Sequence, residues 1–339
     1  MSLLFIDGFD HYATADINKK WASASGSISS TGGRRGGGAF NTNGFGNVTS
    51  SNPFASSPTI IVGGAFKTTS ANGGYRVVFS LKEGATDHLS LCINTDGTIS
   101  VLRGTQSGTL LGTSTTAVNQ SNWNYVEIKA TIHSTTGSIA VRINGTSEAA
   151  LSLTGINTRN GGTNGAITVV GLGQGSNGFY GSIDDFYICN TSGTTNNDFL
   201  GDCRIDTIYP TSDGNYSQFT PSTAGAHWSL VDETAPNTTD YVSSATVGQR
   251  DSFGFSDLSA LAINTVYGVQ VNLAAMNSDA GLLSAGTMAR LGAVDKDGAG
   301  KALSTSQIYV SEVYETDPNN AAWTLANFNL TEFGAKVTA

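Results

Sequence analysis

Val169-Val170-Gly171-Leu172-Gly173-Gln174-Gly175-Ser176-Asn177-Gly178-Phe179-Tyr180-Gly181-Ser182-Ile183-Asp184-Asp185-Phe186-Tyr187-Ile188-Cys189-Asn190 reads as two short strands joined by a Gly/Ser/Asn turn. Phe179, Gly181 and Ile183, and then Phe186 and Ile188, alternate with polar positions at the period of a half-buried strand. The alternation breaks at Asp184-Asp185, which predicts a β-bulge between the two phases. On a regular strand these neighbouring carboxylates would point to opposite faces, so only the bulge could bring them together.

The chain before this stretch is a dense series of strand candidates. Thr59–Phe66, Tyr75–Glu83, His88–Asn94, Ile99–Arg103, Thr109–Thr113, Asn124–Ile132, Ser138–Ile143 and Ala150–Leu153 are separated by turns such as Asn94-Thr95-Asp96-Gly97 and Asn144-Gly145. Asp16 to Trp21 predicts one helical turn with Asp16 as its cap. Apolar residues make up 39% of the chain and charged residues only 13%, with no helical apolar repeat, so the fold is expected to be all-β. Arg34-Arg35-Gly36-Gly37-Gly38 lacks the Lys-Ser/Thr ending and following helix of a phosphate-binding loop and reads as hairpin and loop.

The run L-G-Q-G-S-N-G-F-Y-G-S-I-D-D-F-Y-I, the hairpin I-N-T-D-G-T-I-S-V, and the pair W-N-Y-V-E-I-K-A-T-I and G-S-I-A-V-R-I-N-G resemble concanavalin A-like (laminin G-type) lectin domains. Arg34 to Phe40 resembles the strand that crosses the sheet in those families. The resemblance implies an N-terminal jelly-roll sandwich over residues 1–192, with a carbohydrate- or protein-binding face and, in many members, a calcium site. Asp7, Asp10 and Asp184 or Asp185 are the candidate calcium ligands. The competing reading is that Asp184 and Asp185 accept hydrogen bonds from loop amides.

At 339 residues the chain is long enough for two domains, each burying its own core. Residues 193–339 are expected to form a second, smaller, acidic β-sandwich-like domain for anchoring or oligomerisation. Eleven Lys/Arg face ten Asp/Glu over residues 1–195, against six and sixteen over 196–339. That acidic half argues against nucleic acid or an anionic membrane as its partner. Strands are expected at Cys203–Tyr209, Tyr241–Ala245, Gln249–Phe255, Thr265–Ala275, Thr287–Val294, Lys301–Leu303, Trp323–Leu325 and Glu332–Val337, with 211–237 a long binding or contact loop. Cys92, Cys189 and Cys203 include no C-x-x-C pair and read as reduced thiols. Met1 to Asp7 runs straight into a strand without the basic and apolar regions of a signal peptide, and no run reaches the about 18 apolar residues that a spanning helix needs.

Glycoside hydrolysis requires two carboxylates facing each other across a cleft. The laminarinase-type E-x-D-x-x-E run does not occur. His11, His88, His133 and His227 are scattered, none beside a G-x-S-x-G elbow. Glycan binding calls for exposed aromatics above polar side chains; Trp21 and Trp228 are the candidate ligand-binding residues, while Trp123, preceding a strand, reads as core.

The join D-D-F-Y-I-C-N-T-S-G-T-T-N-N-D-F-L-G-D, followed by R-I-D-T-I-Y-P-T-S-D-G and F-T-P-S-T-A-G-A-H-W-S-L-V-D-E, resembles two-domain virion structural proteins of tailed bacteriophages. The resemblance implies a non-enzymatic virion component, assembled in the host cytoplasm, tail-associated and binding a host-surface glycan. Its partners would be other virion proteins, in a homo-oligomer such as a trimer. The alternatives are a capsid decoration protein, and a free carbohydrate-binding protein or glycan hydrolase.

Overall fold

The computed structural model describes residues 2–42, 47–50, 56–68, 74–173, 179–258 and 265–339. The chain is all-β and divides into two compact units, Met1–Asp206 and Thr207–Ala339.

In the first unit two antiparallel sheets enclose one core. One sheet runs Thr146–Ser147, Gly137–Ile143, Asn124–Thr131, Thr59–Thr68, Gly181–Asn190, Ala39–Asn41, Ser27–Ser29. The other runs Thr109–Ala117, Thr98–Arg103, Thr86–Ile93, Arg76–Glu83, Val169–Leu172, Asn47–Ser50, Trp21–Ser25. Gly181–Asn190 is the hub of the first sheet: Thr59–Thr68 pairs along one edge, while the other is shared between Ala39–Asn41 and Leu3–Asp7. The expected bulge lies between Asp184 and Tyr187, and Asp185 takes a left-handed φ of 50°.

Register explains why both faces of this sheet are buried. Val141, Ile128, Val62 and Ile188 are cross-strand partners and make one apolar row. The adjacent row, Arg142, Glu127, Gly63 and Tyr187, points the other way. Residues 198–201 lie over this second row. Arg142 stacks 4.4 Å from the Phe199 ring centroid, the Leu200 N–H donates to Tyr187 Oη at 3.2 Å, and the Gly201 N–H donates to Glu127 Oε1 at 2.8 Å. The boundary expected at 192 therefore moves to Asp206. The polar run after Asn190 is a strap fastened to the sheet, and Cys203–Tyr209, expected to be a strand, has no regular pairing.

In the second unit the main sheet runs Pro210–Ser217, Arg250–Phe255, Thr331–Val337, Ser284–Leu291, Val294–Asp297. Val269–Ala275 pairs with Ile308–Tyr314, and Ala289, Tyr314, Trp323, Phe328 and Phe333 form the buried cluster. Pro210–Ser217 is a strand inside the segment expected to be a loop, and Ile308–Tyr314 is a strand where none was expected. Trp323–Leu325 is not a strand: Thr324 caps the short helix Leu325–Asn329 by accepting the Asn327 N–H. Asp16 makes no side-chain cap to Ile17–Lys20 and pairs with Lys19 at 2.7 Å instead.

Gly63 is constrained by its neighbour, because a Cβ there would overlap the Tyr187 ring. Gly63→Ala is expected to destabilise the protein by roughly 1–3 kcal/mol, the usual cost of overpacking. Chemical denaturation of the variant beside the parent measures this; equal midpoints would contradict the packing described.

Candidate functional site

Asp7 ends the strand Leu3–Asp7 opposite Phe186, with a side chain that is 0% exposed. Its Oδ1 accepts the Phe9 N–H at 2.8 Å and lies 3.3 Å from Lys20 Nζ. Its Oδ2 accepts Tyr12 Oη–H at 2.7 Å and Trp21 Nε1–H at 2.8 Å. Burial alone would raise the Asp7 pKa, but Lys20, His11 and these donors outweigh it and hold the carboxyl below its ordinary value. Trp21 is thus a correction to the expected ligand-binding role: it is 0% exposed, stacks on Phe9 at 5.9 Å and meets Phe5 edge-on at 4.9 Å. Its indole is a donor to a buried carboxylate, with no surface left for a ligand.

The bulge turns Asp184 and Asp185 toward the loop around Arg34. Asp184 Oδ2 accepts the Arg34 N–H at 2.7 Å and its Oδ1 the Asp185 N–H at 2.7 Å. Asp185 Oδ1 accepts the Ile205 N–H at 2.8 Å, while Arg34 Nη1 stands 3.5 Å from its Oδ2 and the same guanidinium grips both oxygens of Asp202. Asp10 accepts the Gly38 N–H at 2.5 Å. Burial, followed by mutual repulsion, pushes Asp184 up; burial also pushes Asp185 up, and it raises Asp10 to about 6.

These four aspartates were the candidate calcium ligands, and the donor set does not fit that role. Their carboxyls receive backbone N–H, Trp, Tyr, Lys and Arg donors, which a cation would displace. Among the described residues no group of three or more His, Cys, Asp or Glu is arranged to hold a metal ion.

A third carboxylate fastens a loop. Glu83 Oε1 accepts the N–H groups of Thr163 and Asn164 at 3.1 and 3.0 Å, and its Oε2 that of Gly165 at 3.2 Å and contacts His88 Nε2 at 3.2 Å. The Asn164 N–H is the main reason its pKa falls to about 2. His88 Nδ1 accepts the Asn160 N–H at 3.2 Å, so the other ring nitrogen carries the proton that faces Glu83. No local pattern marks Glu83 in the sequence, because the loop N–H groups it accepts lie about eighty residues away.

In the second unit the structure assembles residues the sequence left scattered. His227 Nδ1 is 2.6 Å from Oδ2 of the fully buried Asp251, whose Oδ1 accepts the Gln218 and Phe219 N–H groups at 2.6 and 2.8 Å. Ser217 Oγ lies 3.3 Å from Nδ1 and 3.5 Å from Nε2. A nucleophile must meet the Nε2 lone pair in the ring plane, with Nδ1 held by the acid. An oxygen nearly equidistant from both nitrogens sits off that line, so the trio lacks the geometry of a relay and works as a clamp on the turn after Ser217. Trp228, half-buried, donates its backbone N–H to Asp213 at 2.7 Å beside this clamp. Trp123 is also half-buried, with Lys67 Nζ 5.2 Å from its ring centroid, rather than core.

Two pH effects of opposite sign follow. Asp10 and Asp184 have folded pKa values above the ordinary 3.8, so the folded state binds more protons than the unfolded one from about pH 4 up to those raised values. Stability of the first unit should therefore fall as pH rises through that window. Asp184→Asn, which cannot ionise, should flatten this dependence, as read by thermal unfolding from about pH 4 to 8; an unchanged slope would contradict it. The Glu83 anchor is fully present above its ordinary value of 4.5 and is lost as pH falls toward about 2. Hydrogen-exchange protection at residues 163–165, taken relative to the intrinsic rate at each pH, should fall below pH 4 and, in Glu83→Ala, should already be low at pH 6.

No protein-family model matches the chain, and no curated protein sequence matches it. Solved structures resemble parts of it. Domain 4 of a GH43 extracellular arabinanase from Geobacillus stearothermophilus, in complex with arabinotriose, is 19% identical over 49% of this chain and 76% of that one, with a TM-score of 0.36. A Trypanosoma rangeli sialidase in complex with the inhibitor DANA is 12% identical over 50% of this chain and 30% of that one, at 0.35. The CBM40 of a Ruminococcus gnavus sialidase bound to α2,3 sialyllactose is 22% identical over 38% of this chain and 74% of that one, at 0.28.

Proposed function

We propose that this chain is a non-enzymatic structural component of a tailed-phage virion, carried at the tail and built as a homo-oligomer. Its first unit contacts a host-surface glycan and its second joins it to other virion proteins. The observation that carries the non-enzymatic part is the state of the carboxylates. Asp184 and Asp185, the adjacent pair in the first unit, are held by loop N–H groups and by Arg34, so neither stands free to act as acid or base. The Ser217, His227 and Asp251 trio is off-line for nucleophilic attack. The placement in a virion rests on the sequence resemblance across the join between the two units.

The second unit carries five Lys/Arg against thirteen Asp/Glu over residues 207–339, which suits docking on a basic protein surface. Of the two tryptophans named for glycan contact, Trp228 retains exposed surface but lies in this second unit.

Electron microscopy of purified particles labelled with an antibody against residues 1–206 tests this reading. Label confined to the tail is expected. Label spread over the whole shell would make the chain a decoration protein, and its absence from purified particles would sink the virion reading. On a glycan array, binding by the parent that an antibody against residues 1–206 blocks is expected; an array blank for the parent would remove the glycan part.

A further inference from the structure

The pair at the centre of the first unit is placed for a reaction within the protein itself. We propose that Lys20 and Asp7 condense into an intramolecular isopeptide bond that closes residues 7–20 into a covalent ring.

Lys20 Nζ lies 3.3 Å from Asp7 Oδ1, and the two side chains are 2% and 0% exposed. Packing thus holds the amine beside the carboxyl, which raises the effective concentration of an internal nucleophile. The walls are aromatic: Nζ stands 5.1 Å from the Phe5 ring centroid, and Phe5 packs edge-on against Trp21 at 4.9 Å. Burial lowers the Lys20 pKa, favouring the free amine that attack requires. The acceptor is polarised on one oxygen, because Tyr12 Oη–H and Trp21 Nε1–H both donate to Oδ2, at 2.7 and 2.8 Å. Two fixed donors on the oxygen that becomes negative in the tetrahedral intermediate form an oxyanion hole. A neutral amide is also easier to keep in an apolar interior than two full charges, so the product removes a desolvation cost that the ion pair bears.

The balance is simple. Against the lowered pKa of Asp7, the ammonium must first pass one proton to it, leaving an amine and a carboxylic acid. The Nζ lone pair forms a bond to Cγ, Oδ2 carries the charge under its two donors, and the Cγ–Oδ1 bond breaks. Two of the three ammonium protons leave on Oδ1 as water, and the third stays on the amide nitrogen. No oxidant or cofactor takes part. The neighbouring sequence offers a competing dehydration, since Asp7-Gly8 can close to a succinimide that also loses one water.

Intact mass spectrometry of the folded full-length protein decides between these. The expected mass is one water below that of the sequence, with Met1 present or removed. Digestion with trypsin should then release a branched peptide in which residues 1–19 are joined to residues 20–34. Lys20→Arg keeps the buried cation but cannot form the amide, and its circular dichroism checks that it folds; its expected mass is that of its full sequence. Parent protein at full mass overturns the proposal. A water loss that persists in Lys20→Arg assigns the dehydration to the succinimide and overturns it equally.

Discussion

The buried Asp7 carboxylate is the constraint on which the first unit depends. It lies where the first strand ends against Gly181–Asn190, and its oxygens gather the Phe9 backbone, Tyr12, Lys20 and Trp21. Those donors come from the turn, the short helix and the first strand of the opposite sheet, so one side chain joins the two sheets. Phe9 is held at a left-handed φ of 58°, with its N–H fixed by the same carboxylate. Removing one partner from such a buried charged pair typically costs about 3–5 kcal/mol, because the other charge is left without compensation. The aromatic packing of Trp21 on Phe9, Phe5 and Phe186 thus follows from an electrostatic anchor as much as from apolar burial.

A second anchor repeats the logic beside the first, since Asp7 pairs with Phe186 next to the bulge. The bulge at Asp184-Asp185 spoils one step of the ladder and in return directs two carboxylates at the Arg34 loop and the strap that ends at Asp206. Repulsion between the two is tolerated because backbone N–H groups and a guanidinium surround them. The raised pKa values mark the residual strain of that arrangement. Perturbed carboxyls often signal chemistry, yet here the geometry assigns them to structure.

The sequence was legible where a local rule governs. Alternation located the strands from Thr59 to Ile143 and its break located the bulge, whereas Ala150–Leu153, expected to be a strand, is largely the short 3-10 turn Ala149–Leu151. In the second unit Arg250–Phe255 and Thr331–Val337 also follow their alternation. Pro210–Ser217 was hidden because its Thr, Ser, Asp, Gly and Asn residues are turn formers, and it becomes a strand only by pairing with Arg250–Phe255. The strap after Asn190 was hidden for a related reason: its side chains are polar and small, and what holds it is largely backbone N–H donation to Tyr187, Glu127 and Asp185. Backbone donors are the same in every sequence, so no composition reveals them.

Candidate sites divide along the same line. Trp21 is a tryptophan of the kind that binds sugars, and burial makes it a hydrogen-bond donor to Asp7 instead. Ser217, His227 and Asp251 are the residue types of a hydrolytic relay, and a few tenths of an ångström in the distances to two ring nitrogens separate a clamp from a catalyst. Lys20 and Asp7 carry no motif at all, being thirteen residues apart in an otherwise ordinary turn and helix, yet the fold brings amine and carboxyl to 3.3 Å away from water. Residue type states which reactions are available, while distance, plane and solvent access select among them. At Asp7, Asp184 and Glu83 that selection makes carboxylates into fasteners of the fold.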